Sequence, residues 1–166
     1  MRRGKKAQET MSMPFSVIFS FFLIIVFIIV AFIAAKSFLD FGSCSSVGLF
    51  YDDLQSKIDE AWHSYKSDFE FEIVLPSGVE KVCFANLSEK ITGTKADYEL
   101  IKDYDVYDAN VFLVPSGATC DLPYKNIQHI NISLITQAKN PYCVEVSKKL
   151  RIQKDIDKFG KFVFIN

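Results

Sequence analysis

The chain has 166 residues, of which 49% are hydrophobic, and its formal net charge is −1. This length suits one ordinary domain with a short appendage. The hydrophobic excess is concentrated near the N-terminus and the remainder is acidic, a composition that argues against a protein that binds nucleic acid.

An uncharged stretch separates Glu9 from Lys36, and its apolar part covers residues 14–35. As an α-helix this part would be about 33 Å long, enough to cross a hydrocarbon core of about 30 Å. A cleaved secretory signal, the alternative, would normally have a shorter apolar region, of about 7–15 residues. We therefore predict an uncleaved transmembrane helix over residues 14–35, with the lipid bilayer as its first partner.

Charge predicts the orientation of this helix. The first twelve residues have a net charge of +3, from one acidic residue, Glu9, and four basic residues: Arg2, Arg3, Lys5 and Lys6. The remainder carries 15 basic and 19 acidic residues, a net charge of −4. Basic residues favour the cytosolic side of a membrane. We expect a single-pass protein of the cell membrane with residues 1–13 in the cytosol and the C-terminal domain outside it.

Residues 36–46 contain Gly42 and several serines, which predict a linker that loosens the helix after the membrane. A second helix is expected near residues 47–66, because apolar residues recur there at helical spacing: Phe50, Leu54, Ile58, Ala61, Trp62 and Tyr65. This helix would open an extracytoplasmic domain over residues 47–166, and its apolar face needs a sheet to pack on.

Alternating residues predict a strand at Phe69–Ile73, and Pro-Ser-Gly at 76–78 predicts a type I turn from which Val79–Phe84 returns. The same turn signal recurs at 115–117, and Thr94 is expected to cap a short helix. Further strands are expected at residues 127–135, 142–146 and 161–165. The predicted class is α+β: an N-terminal transmembrane helix, then a mainly antiparallel sheet domain with one or two packed helices.

All four cysteines follow the predicted span: Cys44, Cys83, Cys120 and Cys143. An even number of cysteines outside the cytosol predicts two disulfides, and four free buried thiols are the alternative. We slightly favour Cys44–Cys83 with Cys120–Cys143 over the other two connectivities. Cys44 precedes the helix expected to pack on the hairpin that holds Cys83, and the second pair closes the shorter loop.

The sequence contains two glycosylation sequons but none of the catalytic or metal-binding motifs considered next. Asn86 and Asn131 each begin an N-x-S glycosylation sequon, which an external domain permits. The sequence has no nucleophile elbow, H-E-x-x-H, S-x-x-K or glycine-rich phosphate loop. It also has no C-x2-C pair, and His63 and His129 are not at ligand spacing. We expect no catalytic, metal-binding or cofactor-binding residues, and a protein that is not an enzyme.

Small residues recur every four positions along the apolar helix: Ser12, Ser16 and Ser20, then Ala31 and Ala35. Small residues at this interval let two membrane helices approach closely. One hypothesis is therefore that the helix associates with itself or with a partner helix. The alternative is that small residues are simply common in membrane helices.

The basic N-terminus with Lys6-Ala7-Gln8, the long Phe/Ile/Val helix and the β-rich domain resemble the plan of archaeal and bacterial type IV pilin-like proteins. In that superfamily a prepilin peptidase cuts after a glycine or alanine before the helix, which then packs into a filament core. This resemblance covers about the first 40 residues. It implies a filament subunit.

A second resemblance covers most of the chain. The segments CFANL at Cys83–Leu87, CDLPY at Cys120–Tyr124 and NPYC at Asn140–Cys143 are similar to those of uncharacterised single-span membrane proteins of small-genome archaea. That grouping implies an archaeal membrane protein and assigns no activity.

The leading hypothesis is a membrane-anchored surface or envelope protein whose external domain mediates interaction or assembly with other membrane or surface proteins, including itself. An anchor, a compact cysteine-bearing domain and a sequence without catalytic motifs motivate it. The alternatives are a type IV pilin-like filament subunit and an anchored enzyme or accessory subunit of a membrane transport or secretion complex.

Overall fold

The computed structural model describes the backbone of residues 9–166, and the side chains from residue 15 onward except those of residues 38–41, 43 and 159. Residues 1–8, which include the basic residues expected in the cytosol, lie outside the described range. The chain divides into two compact units, Met1–Phe41 and Gly42–Asn166, and each is considered by itself.

Helix α1 covers Glu9–His63. In the first unit its segment Phe15–Ser37 has a mean hydropathy of 3.3 and exposed side chains, and is long and apolar enough to cross a membrane. The apolar helix predicted over residues 14–35 is therefore present in the structure.

The backbone is helical through residues 36–46, so the helix predicted near residues 47–66 is the last part of α1 and not a separate element. The division between the two units falls inside this range, and the linker stays a prediction. An added Cβ at Gly42 would meet nothing within 4 Å, so neither close packing nor a positive φ requires glycine there. The Ser46 hydroxyl donates to the Gly42 carbonyl at 3.1 Å, a bond that serine can form within a helix.

The second unit contains seven strands in two antiparallel sheets, which shows the α+β class. The three-stranded sheet has the order β1-β6-β7 and the four-stranded sheet has the order β4-β3-β2-β5. The strands are β1 Lys66–Glu72, β2 Lys81–Phe84, β3 Val111–Val114, β4 Tyr124–Lys125, β5 Tyr142–Glu145, β6 Lys149–Asp155 and β7 Phe164–Ile165. The short helices are α2 Lys95–Glu99, α3 Ile132–Ile135 and α4 Ile156–Phe159, with 3₁₀ turns at Lys102–Tyr104 and Ser116–Ala118.

One side of α1 packs on both sheets, as its apolar spacing predicts. The buried helix residues are Val47, Phe50, Tyr51, Leu54, Ile58 and Ala61, whereas Trp62 is half-buried and Tyr65 is exposed. The six buried helix residues share one core with side chains of both sheets. Leu150 and Ile152 come from the three-stranded sheet, and Val82 and Leu113 come from the four-stranded sheet.

The predicted hairpin is wrong, because its two strands lie in different sheets. β1 pairs with β6, whereas β2 pairs with β3 and β5. The turn between them is also displaced by one residue. The N–H of Val79 donates to the Pro76 carbonyl (3.3 Å), and Gly78 has a φ of 110°. Glycine thus occupies the third turn position, where a positive φ is required, and the turn is not type I. The second Pro-Ser-Gly leads into the 3₁₀ turn Ser116–Ala118.

Of the later predicted strands, β5 confirms the one at 142–146 and β7 confirms the end of the one at 161–165. The strand expected at 127–135 is wrong. Its second half is helix α3, because the Asn131 side chain accepts from the Leu134 N–H (3.1 Å) and forms an N-cap. Thr94 does precede α2, but its side chain makes no capping bond.

All four cysteines form disulfides, but the favoured pairing is wrong. The bonds are Cys44–Cys120 and Cys83–Cys143, with Cα–Cα distances of 5.3 and 4.0 Å. Cys83 and Cys143 face each other because β2 and β5 are neighbours. Cys44 reaches the loop after β3, where the Tyr51 hydroxyl also donates to the Leu122 carbonyl (3.2 Å). The bonds link residues 76 and 60 positions apart, and the chain-entropy model gives each about 4 kcal/mol.

Candidate protein-interaction surface

The four-stranded sheet is covered on both faces. Val111 and Leu113 of β3 face the core shared with α1, whereas Phe112 and Val114 belong to a second buried cluster with Cys83 and Ala85. A strand buried on both faces reads as a continuous apolar run, and Val-Phe-Leu-Val fits this rule. The second face therefore needs a cover, and residues 95–109 provide it.

Buried and polar contacts fix this covering segment. Ile101 is fully buried in the second cluster. The Lys81 ammonium donates to the Asp97 carboxylate at 2.7 Å, a bond that raises the pKa of Lys81. Just after the segment, the Asn110 side chain accepts from the Ile127 N–H and donates to the Ile127 carbonyl, both at 2.8 Å. The segment is thus a structural part of the domain.

The outward side of this segment presents apolar and aromatic side chains. The Tyr107 ring stacks on Tyr124 of β4 at 4.6 Å between centroids, and Tyr104 lies 5.1 Å from Tyr124 and 6.2 Å from Phe112. We define the tyrosine surface as these three tyrosines together with five further residues: Leu100, Val106, Asp103, Asp105 and Asp108.

Large apolar side chains of this surface are exposed to solvent: Val106 by 79%, Tyr107 by 51% and Leu100 by 50%. Single exposed apolar residues are common, but neighbouring ones mark interaction sites. Tyrosine is enriched at protein interfaces because it combines a large apolar ring with a polar hydroxyl. Burial, together with the neighbouring Tyr107, raises the pKa of Tyr124.

Unpaired carboxylates accompany these rings. Within the described residues, Asp103, Asp105 and Asp108 have neither an ion pair nor a side-chain hydrogen bond, whereas Glu99 pairs with Lys102 at 2.6 Å. The fifth acidic residue of residues 97–108, Asp97, pairs with Lys81, so the uncompensated charge of this range is that of the three aspartates. The surface therefore carries negative charge that the domain itself does not neutralise.

The sequence-predicted site residues lie elsewhere or beneath this surface. The Cys83–Cys143 disulfide lies under the covering segment, in the second cluster. The Asn86 side chain donates to Glu89 at 3.0 Å, and Asn131 caps α3. Both sequon asparagines thus have structural roles, and their glycosylation stays a prediction.

The small-residue stripe also stays a prediction. Ser16, Ser20, Ala31 and Ala35 are exposed on helix α1. At 3.6 residues per turn they fall within an arc of about 100°. The side chain of Ser12 lies outside the described residues.

The structure also brings together two histidines that are distant in sequence. His129 stacks on Trp62 at 3.9 Å, and His63 meets the same indole edge-on at 4.9 Å. The Nδ1 atoms of both histidines bond to Asp59, His129 to its carboxylate and His63 to its carbonyl. Among the residues that the structure describes, no group of three or more acidic, histidine or cysteine side chains could hold a metal ion.

Comparison with protein-family models, curated proteins and solved structures finds no match for this chain. The resemblances to pilin-like proteins and to membrane proteins of small-genome archaea therefore gain no support.

Replacing buried Ile101 by alanine should lower the free energy of unfolding by about 2–5 kcal/mol, because it leaves a cavity under the covering segment. Its exposed neighbour is the matched control: Leu100→Ala should change stability by about 0.5 kcal/mol or less. Urea unfolding of the detergent-solubilised chain measures both. Equal changes in the free energy of unfolding for the two variants would contradict packing of the segment on the sheet.

Proposed function

We propose that this protein is a membrane-anchored surface protein whose domain, residues 42–166, lies outside the cytosol and binds a basic protein partner through the tyrosine surface. The observation that carries the proposal is a fixed set of exposed aromatic and aliphatic side chains among three unpaired aspartates.

Three features support the anchored, extracytoplasmic arrangement. The segment Phe15–Ser37 is apolar enough to span a bilayer. The residues before it are basic, which favours their retention in the cytosol. Both cysteine pairs of the following domain are oxidised, as is usual for domains outside the cytosol.

The chemistry of the surface supports a protein partner. Tyrosine side chains with restricted rotamers make large contacts at low entropic cost, and interface hot spots are enriched in them. Packing of Tyr104 and Tyr107 against Tyr124 restricts these rings before any partner arrives. Unpaired aspartates around them repel nucleic acid phosphates and attract lysine and arginine.

Labelling of intact cells tests the orientation. A membrane-impermeant maleimide should label Ser147→Cys, which lies on an exposed turn, and should not label Thr10→Cys. The four native cysteines form disulfides and should not react, so the chain without either substitution is the control. Labelling at position 10 with protection at position 147 would reverse the proposed topology.

Photo-crosslinking in native membranes tests the binding role. A photoreactive benzoylphenylalanine at position 107 should give a discrete adduct with one protein, whereas the same group at exposed position 137 should not. Combined Asp103→Asn, Asp105→Asn and Asp108→Asn substitutions should reduce the adduct at least fivefold, because they remove the charge that attracts the partner.

The matched control is Asp53→Asn, which removes an exposed, unpaired carboxylate of α1 and should leave the adduct unchanged. Higher salt should also lower the yield of the adduct, because the Debye length falls to about 3 Å at 1 M ionic strength. If the yield of the adduct at position 107 changed neither with the aspartate substitutions nor with salt, a basic partner would be contradicted. No adduct would contradict the surface itself.

A further inference from the structure

Strand β1 forms one edge of the three-stranded sheet, and the register shows where its backbone groups point. In β6 the Arg151 N–H donates to the Asn166 carbonyl (2.9 Å), and the Arg151 carbonyl accepts from the Asn166 N–H (3.1 Å). The Arg151 backbone therefore faces β7. Backbone groups alternate in direction along a strand, so the residues on either side of Arg151 face β1. Their register partners there are Phe69 and Phe71.

It follows that the N–H and carbonyl groups of Asp68 and Glu70 point away from β6. In the described part of the chain, no hydrogen bond from another element reaches these groups. β1 is seven residues long and contains neither proline nor glycine. An edge of this kind can accept a further strand through main-chain hydrogen bonds.

Side-chain charge defines what the added strand must carry. Asp68 accepts two hydrogen bonds from Arg151, both at 2.7 Å, and Glu70 accepts one from Lys149 at 2.9 Å. These bonds lower the pKa of both carboxyl groups, which are therefore ionised near pH 7. Each carboxylate has its basic partner on the β6 side. A basic residue on the outer side would complete a row of alternating charge across the sheet.

The opposite face of β1 is apolar. Phe69 and Phe71 are half-buried, and the ring centroids of Phe71 and of Phe50 in α1 are 6.0 Å apart. Side chains of an added strand alternate between the two faces, so its residues between the basic positions would lie beside these rings. The complementary segment therefore alternates basic and apolar residues.

A second copy of β1 would meet this edge with mixed charge. Antiparallel pairing centred on Phe69 would place Asp68 of each copy opposite Glu70 of the other, although it would also place Lys66 opposite Glu72. Pairing centred on Asp68 would place Lys66 opposite Glu70, but Asp68 opposite its own copy. A strand with basic residues opposite both Asp68 and Glu70 has no like-charge pair at these positions and is therefore the better match.

We propose that the outer edge of β1 binds an extended segment of another protein as a fourth strand, with basic side chains opposite Asp68 and Glu70 and apolar side chains between them. This is a second binding mode, independent of the tyrosine surface.

Hydrogen exchange at single amides tests the proposal directly. The full chain, in nanodiscs of uncharged lipid, is titrated with an acetylated, amidated peptide of sequence Lys-Val-Lys-Val-Lys-Val-Lys. Exchange of the Asp68 and Glu70 amides should slow at least tenfold at saturation, while the Phe69 and Phe71 amides, already bonded to β6, should not change. A Glu-Val-Glu-Val-Glu-Val-Glu peptide should have no effect. Unchanged exchange of Asp68 and Glu70 with the lysine peptide would overturn the proposal.

Substitutions separate the backbone contribution from charge. Glu70→Pro removes an outward N–H together with the carboxylate, whereas Glu70→Gln removes the charge alone. Glu70→Pro should therefore weaken peptide binding at least tenfold more than Glu70→Gln does, and both should preserve protection of Phe69, which is bonded to β6. Combined Asp68→Lys and Glu70→Lys should abolish protection by the lysine peptide and confer protection by the glutamate peptide. Binding that survives both Glu70→Pro and the combined lysine variant would overturn the proposal.

A third variant distinguishes this site from the tyrosine surface. Combined Asp103→Asn, Asp105→Asn and Asp108→Asn should leave peptide protection of Asp68 and Glu70 unchanged. Loss of protection in this variant would place the peptide on the tyrosine surface and overturn the edge proposal. Concentration-dependent protection of the same amides without peptide would show that a second copy occupies the edge, which would also overturn it.

Discussion

Burial of β3 on both faces is the constraint on which the architecture of the second unit depends. All four of its side chains are buried, two toward α1 and two away from it. The first face is covered by the long helix and the three-stranded sheet. The second is covered by a segment that buries Ile101 and packs part of Tyr104 against the same cluster. The outward side of that segment is the tyrosine surface, so the candidate binding site arises from the need to close the core.

The two disulfides support this arrangement at different places. Cys83–Cys143 joins neighbouring strands beneath the covering segment, while Cys44–Cys120 ties α1 to the loop that leads from β3 to β4. Cys120 has a φ of 52°, in the left-handed region that few residues other than glycine adopt. The disulfide and the Tyr51–Leu122 hydrogen bond hold the chain in this conformation, next to the strand that carries Tyr124.

Local patterns predicted much of this fold, and long-range pairing explains most of the rest. The apolar face of α1 and the alternation in β1 are local signals, and both predictions held. β6 was missed although its sequence carries the same signal, in which buried Leu150 and Ile152 alternate with Lys149, Arg151 and Gln153. The cysteine pairing was wrong because it depends on the β2–β5 register, which no local pattern encodes. The tyrosine surface was missed because its rings meet only after Tyr124 pairs into the sheet.

Native-state hydrogen exchange tests most directly whether the covering segment is part of the folded core. The amides of Ile101 and Tyr104, which bond to Tyr98 and Ile101, report on the segment, and the amide of Leu113, which bonds to Pro123, reports on β3. If the segment closes the core, its opening free energies should lie within about 1–2 kcal/mol of that of Leu113. Exchange of Ile101 and Tyr104 at nearly the rate of an unfolded chain, with Leu113 still protected, would contradict the account.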